Sequence, residues 1–272
     1  MSKKNILVSI LINNYNNKPY IKNCIQSCLK QSYKKFEVII YDDNSDDGSK
    51  QIIKKINNKK IKKIFNNKKI FKGGPLNQLN SIYKSLPKSK GKLIFLLDGD
   101  DFFLKNKLYN IIKIFNKNKN LKFIQDSPYY YYPEKNIKIK KNLKNKFFTL
   151  HTWPYFFPTS TMAFERKFLK KVLKELKFSG KKYPRMFFDA RAMIYIYFFE
   201  KNFLRINQYL TMYTQNIKGD TIKNYHNRSN LNWWRRRYEY HMFVNSLFKK
   251  KGKFHFKFLD YYLTVLMNTL FK

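Results

Sequence analysis

Acidic side chains are scarce in this 272-residue chain. Eleven Asp and six Glu stand against 57 Lys and Arg, a formal net charge of +40. Cysteine is scarcer still: Cys24 and Cys28 sit four apart, with no His or acid pattern around them. That excludes a disulfide framework; on a helix the two share a face as small buried thiols, which suits a reducing cytoplasm. No apolar run approaches the roughly 18 residues a spanning helix needs. The apolar stretch near the N-terminus stops at Asn13-Asn14 without a small-residue cleavage site, so it reads as a strand rather than a signal peptide. Glycines number only eight, and none forms a P-loop or a dinucleotide-binding turn. The four His (His151, His226, His241, His255) make no zinc pattern, and no Ser sits on a nucleophile elbow.

Apolar residues at 43% and aromatics at 18% are ample for a core, which argues against global disorder despite the charge. The length suits one α/β domain with a modest appendage. Only 8 of the 57 basic residues are Arg. Lys, Asn, Ile, Phe and Tyr all have AT-rich codons, so genome composition competes with an anionic partner as the source of the Lys excess.

Hydrophobic patterning predicts strands at Ile6–Ile12, Phe36–Tyr41, Ile61–Phe65 and Leu93–Leu97. Helical spacing intervenes after Pro19 (Ile21, Cys24, Ile25, Cys28, Leu29), around Ile52–Ile56, through Leu76–Tyr83 and over Leu104–Phe115. Such alternation argues for a parallel sheet with helices on both faces, in which ligands bind at the carboxyl ends of strands. Leu121–Ile124 reads as extended. Glu165–Leu176 and Phe187–Glu200 read as helices, and Ser229–Lys272 as two helices broken near Lys251-Gly252.

The few acids are not scattered. Seven of the 11 Asp lie in 42–47 and 98–101, each segment directly after an apolar strand. Like charges repel unless a cation relieves them. Capping of the next helix accounts for Asp46 and Asp47. Three acids around Gly99 exceed any capping need; a hard divalent cation with substrate phosphates would relieve them.

These segments resemble glycosyltransferase family 2, in the family's order. They are Val8–Asn16, Ile25–Tyr33, Phe36–Ser49, Gly91–Asp101 with its DxD(D), Pro158–Phe164 and Phe188–Arg191. The resemblance implies a GT-A fold: a mostly parallel central sheet flanked by helices, with a C-terminal helical extension. It divides the chain into a catalytic domain at 1–215 (nucleotide-sugar half 1–125, acceptor half 126–215) and the extension at 216–272. It implies a metal-dependent, inverting hexosyltransferase using Mn²⁺ or Mg²⁺. That enzyme would move a sugar from a nucleotide-diphosphate donor, commonly a UDP-sugar, to a saccharide or lipid-linked acceptor, in cell-surface polysaccharide or glycolipid synthesis. Carried over by position, Asn13, Tyr15, Asp42 and Asp43 would hold the nucleotide, and Asp98 the ribose or metal shell. Asp100 would be the principal metal ligand with Asp101 close by, and Asp189 the general base. One base and no nucleophile imply a single displacement. Two features depart from the family: 77–80 reads Asn-Gln-Leu-Asn without the usual Arg, and Asp189 has no acidic neighbour. A place at a helix N-terminus would keep Asp189 readily ionised.

Trp153 within the aromatic segment 147–157 offers an acceptor platform or simple packing. The tail mixes cations with aromatics (Trp233–Tyr238) ahead of an apolar end. That suits a peripheral contact with an anionic membrane, at the inner face of the plasma membrane of a cytoplasmic protein. Its apolar positions show no single clean face, which favours a cap packed on the catalytic domain. A basic nucleic-acid-binding protein would explain the charge but not acids gathered at two strand ends, so no nucleic acid is expected. A nucleotidyltransferase would want a Gly-rich loop near the N-terminus, and a catalytically impaired family member stays open because of the missing Arg.

Overall fold

The computed structural model describes residues 6–68, 71, 73–141, 154–215, 229–255 and 259–270. The aromatic stretch 147–153, with His151 and Trp153, and His226 lie outside them.

The first half alternates strand and helix as the patterning predicts. It runs β1 (Val8–Asn14), α1 (Ile21–Leu29), β2 (Phe36–Asp42), α2 (Ser49–Lys55), β3 (Ile61–Phe65), α3 (Gly74–Ser85), β4 (Leu93–Asp98), β5 (Phe102–Phe103) and α4 (Lys107–Lys117). There follow β6 (Phe123–Tyr132), β7 (Ile137–Lys140), β8 (Met162–Glu165), α5 (Arg166–Leu176), α6 (Phe188–Phe199) and β9 (Phe203–Thr214). The tail adds α7 (Leu231–Lys250) and α8 (Leu259–Leu270).

The strands form one sheet in the order β3-β2-β1-β4-β8-β6-β9-β5, with β7 on β6. Strands β3, β2, β1 and β4 are parallel. Beyond them the sheet is mixed: β8 is antiparallel to both β4 and β6, while β9 runs parallel to β6. The 125/126 division falls inside β6, so the two halves share one sheet. The 12-residue β9 went unread in the sequence because its first half is largely solvent-facing and carries Arg205, Asn207 and Gln208, which blur the alternation.

Period-2 alternation explains the layering. Ile10, Ile12, Val38, Ile40, Phe95 and Leu97 face α1, α2 and α4, where Cys24 and Cys28 are buried thiols as expected. Leu11, Ile39, Ile94 and Leu96 face the other way, onto α3, α5, α6 and α7. Phe243, Val244 and Leu247 of α7 are buried in that second core, so this part of the tail is a cap on the catalytic body. Helix α5 places Phe168, Leu169, Val172, Leu173 and Leu176 along one buried face, leaving its lysines to water.

One buried ion pair stands out. Lys107 and Asp126 are 2.6 Å apart with both side chains fully buried. Lys107 also donates to Ser160 O at 2.8 Å and to the Thr211 hydroxyl at 2.5 Å. Such a pair is held against its desolvation cost only because the remaining hydrogen-bonding positions are filled.

Candidate active site

Parallel pairing puts the ends of β2, β1 and β4 side by side. Asn13 is in register with Tyr41 on one flank and Asp98 on the other, and Asn14 with Asp42. The sequence-predicted residues Asn13, Tyr15, Asp42, Asp43, Asp98, Asp100 and Asp101 therefore gather along one rim.

Their environments separate them into different jobs. The buried Asp42 carboxylate is committed to the protein: Oδ1 accepts from Asn14 Nδ2 at 2.7 Å and from the Ser45 hydroxyl at 2.7 Å, and Oδ2 from Ser45 N–H at 3.1 Å. Asp43 accepts from Asn66 Nδ2 at 2.9 Å. Tyr15, just past the end of β1, is 38% exposed. The N-cap position of α2 is Gly48 at φ 96°, but Asp47 still serves that helix end by accepting the N–H of its first residue, Ser49, whereas Asp46 does not. Both also staple two loops together: Asp46 accepts from Asn16 Nδ2 at 2.8 Å, and Asp47 accepts from Lys18 N–H at 2.7 Å as well as from Ser49 N–H at 2.9 Å.

At the end of β4, Asp98 and Asp100 are half-buried, while Asp101 is fully buried. Burial, then the charge of Asp100, pushes Asp98 up to about 7. Asp101 is raised by burial and by both neighbours, yet its oxygens are engaged: the Ser160 hydroxyl donates at 2.6 Å and Thr214 N–H at 2.8 Å. Asp101 thus anchors the loop from below. Gly99 leaves room for the asparagine side chains of the β1 end: a Cβ there would lie 2.8 Å from Asn14 Oδ1 and 2.9 Å from Asn17 Nδ2 and would displace them.

Asp189 occupies the first turn of α6, as expected. The helix terminus does not dominate its ionisation, however. Burial raises its pKa to about 6, against the pull of Ala190 N–H (2.6 Å), the Arg236 guanidinium and the Thr159 backbone. The expectation of easy ionisation is corrected: desolvation outweighs the helix dipole.

Three participants were not read as such in the sequence. Gln78 joins the two acid centres. Its Nε2 donates to both Asp98 oxygens, at 3.1 and 3.0 Å, and to Thr159 Oγ1 at 3.2 Å, while its Oε1 accepts Phe188 N–H at 3.0 Å. Gln78 stands in the segment where the resemblance expects Arg. Ser160 accepts Asp98 N–H at 3.0 Å while donating to Asp101. Arg236, in the tail, places its charge on Asp189. The signal for Gln78 was present: α3 has a single charged residue, Lys84, in a chain that is 27% charged, and buries Gln78, Ser81 and Ser85 in a row.

Among the described residues no three His, Cys, Asp or Glu side chains converge as a metal-binding group. The donor set nevertheless fits a hard dication of limited protein ligation. Asp98 and Asp100 repel each other at the rim, and Mg²⁺ or Mn²⁺ takes one or two carboxylates with phosphate oxygens and water completing the shell.

Residues 9–175 match the sequence profile described as Glycosyl transferase family 2, well over half of the chain. The chain belongs to glycosyl transferase family 2. An Escherichia coli relative, UDP-Glc:alpha-D-GlcNAc-diphosphoundecaprenol beta-1,3-glucosyltransferase WfaP, is 38% identical over 124 residues, 46% of each chain. Poly(ribitol-phosphate) beta-N-acetylglucosaminyltransferase TarS of Staphylococcus aureus is 32% identical over 105 residues, 37% of this chain and 17% of that one. The chain spans about half the length of the first curated relatives it matches. Among solved structures, S. aureus TarS 1-349 in complex with UDP-GlcNAc superposes with a TM-score of 0.61 at 14% identity, covering 98% of this chain and 71% of that one. Mannosyltransferase PcManGT from Pyrobaculum calidifontis, in complex with GDP-Man and Mn2+, gives 0.56 at 12%, covering 96% and 68%. These likenesses establish the GT-A fold for this family 2 member.

Proposed function

We propose that this chain transfers a sugar from a nucleotide-diphosphate donor to an acceptor hydroxyl, with inversion at the sugar carbon. The carrying observation is the Gln78 bridge, which ties the DxD strand end to the first turn of α6 and so brings an acid for the donor and an acid for the acceptor into one cleft. Family membership supports the reaction class.

In this reading Tyr15 stacks on the nucleotide base, Asn13 and Asp43 hydrogen-bond the nucleoside, and Asp42 holds the loop that presents them. Asp98 and Asp100 would hold Mn²⁺ or Mg²⁺, whose chemistry when bound is to offset charge on the departing diphosphate. Asp101, through Ser160 and Thr214, fixes where that loop points. Asp189 takes the proton from the acceptor hydroxyl; its raised pKa makes it a stronger base than an ordinary carboxylate while leaving it mostly ionised at neutral pH. With Asp189 as the one base and no residue assigned as nucleophile, the reading is a single displacement, which inverts.

The donor we favour is a UDP-sugar, because TarS 1-349 was solved with UDP-GlcNAc and WfaP is a UDP-Glc glucosyltransferase. A lipid-linked saccharide is the favoured acceptor, because WfaP acts on alpha-D-GlcNAc-diphosphoundecaprenol, which fits polysaccharide or glycolipid synthesis at a membrane face of the cytoplasm. The 1–215 and 216–272 division is retained as a functional proposal, with Arg236 reaching back across it.

The test is thermal denaturation with UDP, GDP, CDP and ADP, each with and without Mn²⁺. A rise in melting temperature for UDP that grows with Mn²⁺ supports the reading by mass action. Indifference to all nucleotides defeats it. Release of UDP from UDP-glucose or UDP-GlcNAc in the presence of a GlcNAc-diphospho-lipid analogue then tests transfer itself.

A further inference from the structure

Helix α8 is amphipathic in the inverted sense for a helix resting on a protein body. Its inward side is polar. Asp260 accepts from Arg237 Nε at 2.8 Å and Nη2 at 2.6 Å, and its other oxygen lies 2.7 Å from His241 Nε2. Thr264 is buried, and Asn268 donates to Trp234 O at 3.2 Å. These contacts fix the rotation of α8 on α7. They turn Leu259, Tyr262, Leu263, Leu266 and Leu270 outward, each between 44% and 72% exposed. At about 100° per residue those five fall within roughly one third of the helix circumference. The sequence pattern of the whole tail showed no clean face; α8 alone has one, and it faces out.

The flanking charge is predominantly positive. Lys249, Lys250, Lys251 and Lys253 are exposed at the end of α7 and the turn after it, with Phe254 80% exposed beside them. Glu175, 3.1 Å from Lys250 and 3.2 Å from Lys251, is the carboxylate paired with this group. The one acid of α8, Asp260, is turned inward. A leucine stripe next to a lysine cluster is the composition of a helix lying in a lipid interface. A second copy would bring together two chains of +40, which repel. We propose that the outer face of α8, with the Lys249–Lys253 turn, is a docking surface for an anionic lipid bilayer. This goes beyond the transfer chemistry and does not depend on it.

The test is co-sedimentation of the full chain with phosphatidylcholine vesicles that contain or lack phosphatidylglycerol. The expected result is pelleting with the anionic vesicles only, weakening as salt is added. Replacing two apolar anchors in Leu263→Glu plus Leu266→Glu should reduce it by at least about tenfold. Both positions are exposed, so the melting temperature and its response to UDP with Mn²⁺ should match the parent. Three results overturn the proposal. One is no pelleting of the parent chain with either vesicle. Another is undiminished pelleting of the double variant, which would make lysine adsorption sufficient. The third is a parent dimer in solution that the double variant dissociates, which would assign the face to a second copy. Nucleotide binding measured on the same samples keeps this outcome separate from that of the transferase reading.

Discussion

The side-chain amide of Gln78 lies 3.0 and 3.1 Å from the two oxygens of Asp98, cradling that carboxylate from one nitrogen. The other end of the same amide accepts Phe188 N–H, one residue before Asp189. A single neutral side chain thus couples the placement of Asp98 to that of Asp189, in the segment where the family resemblance implies Arg. An amide leaves the charge at the rim uncompensated, which suits a site completed by a cation.

Gln78→Ala should therefore lower kcat more than it lowers stability. Both tethers are lost at once, and misplacement by about 1 Å can cost roughly 10²-fold in rate. Gln78→Glu should be worse, because a carboxylate cannot donate to Asp98 or offset its charge. Steady-state kinetics beside melting curves checks this; a fall in stability with unchanged kcat would make Gln78 merely structural.

Acid should silence the reaction through Asp189. Burial lifts its pKa from 3.8 to about 6, and only the ionised form accepts the acceptor proton. The rate should thus fall as pH drops through about 6. Asp189→Asn should lower kcat by about 10²–10⁴-fold and abolish that limb, with UDP binding kept. The sign of the linkage is also testable. A carboxyl with a raised folded-state pKa costs stability as pH rises from 3.8 through 6, so the melting temperature of Asp189→Asn should gain on the parent over that window.

Asp100→Ala should separate metal from nucleotide. Thermal stabilisation by UDP should lose its dependence on Mn²⁺, while any metal-independent stabilisation through Tyr15, Asn13 and Asp43 persists. Asp101→Asn should behave differently: its oxygens are bonded to Ser160 and Thr214, so it should lower the melting temperature as well as the rate.

Lys107→Met should unfold the chain more readily, by about 3–5 kcal/mol, since it leaves Asp126 buried without its countercharge. Chemical denaturation measures it. Lys107→Met with Asp126→Leu should recover part of the loss, because the buried charge is then gone from both sides.

Much of this protein is legible in one dimension. The apolar strands from β1 to β4 are recognisable because burial on both faces demands continuous β-branched and aliphatic runs. Asp42–Asp47 and Asp98–Asp101 stand out because acids are rare here and repel when crowded. Those features, in order, carry the family and the fold. The four-residue β8 has no period to show and is legible only through the family resemblance of Pro158–Phe164, and the long β9 is hidden because a half-exposed strand tolerates polar residues.

What the amino-acid order determined is which elements form and which acids end up at strand ends, since both follow from local burial and chain direction. Tertiary structure alone decided what each acid experiences. Asp101 is sealed by Ser160 and Thr214, Asp189 is desolvated rather than freed by its helix, and Gln78 reaches across 110 residues to Phe188. It also decided that α8 turns its leucines outward, because Asp260 is claimed by Arg237 and His241. Dielectric surroundings and long-range partners are properties of three-dimensional neighbours, and no spacing along the chain encodes them.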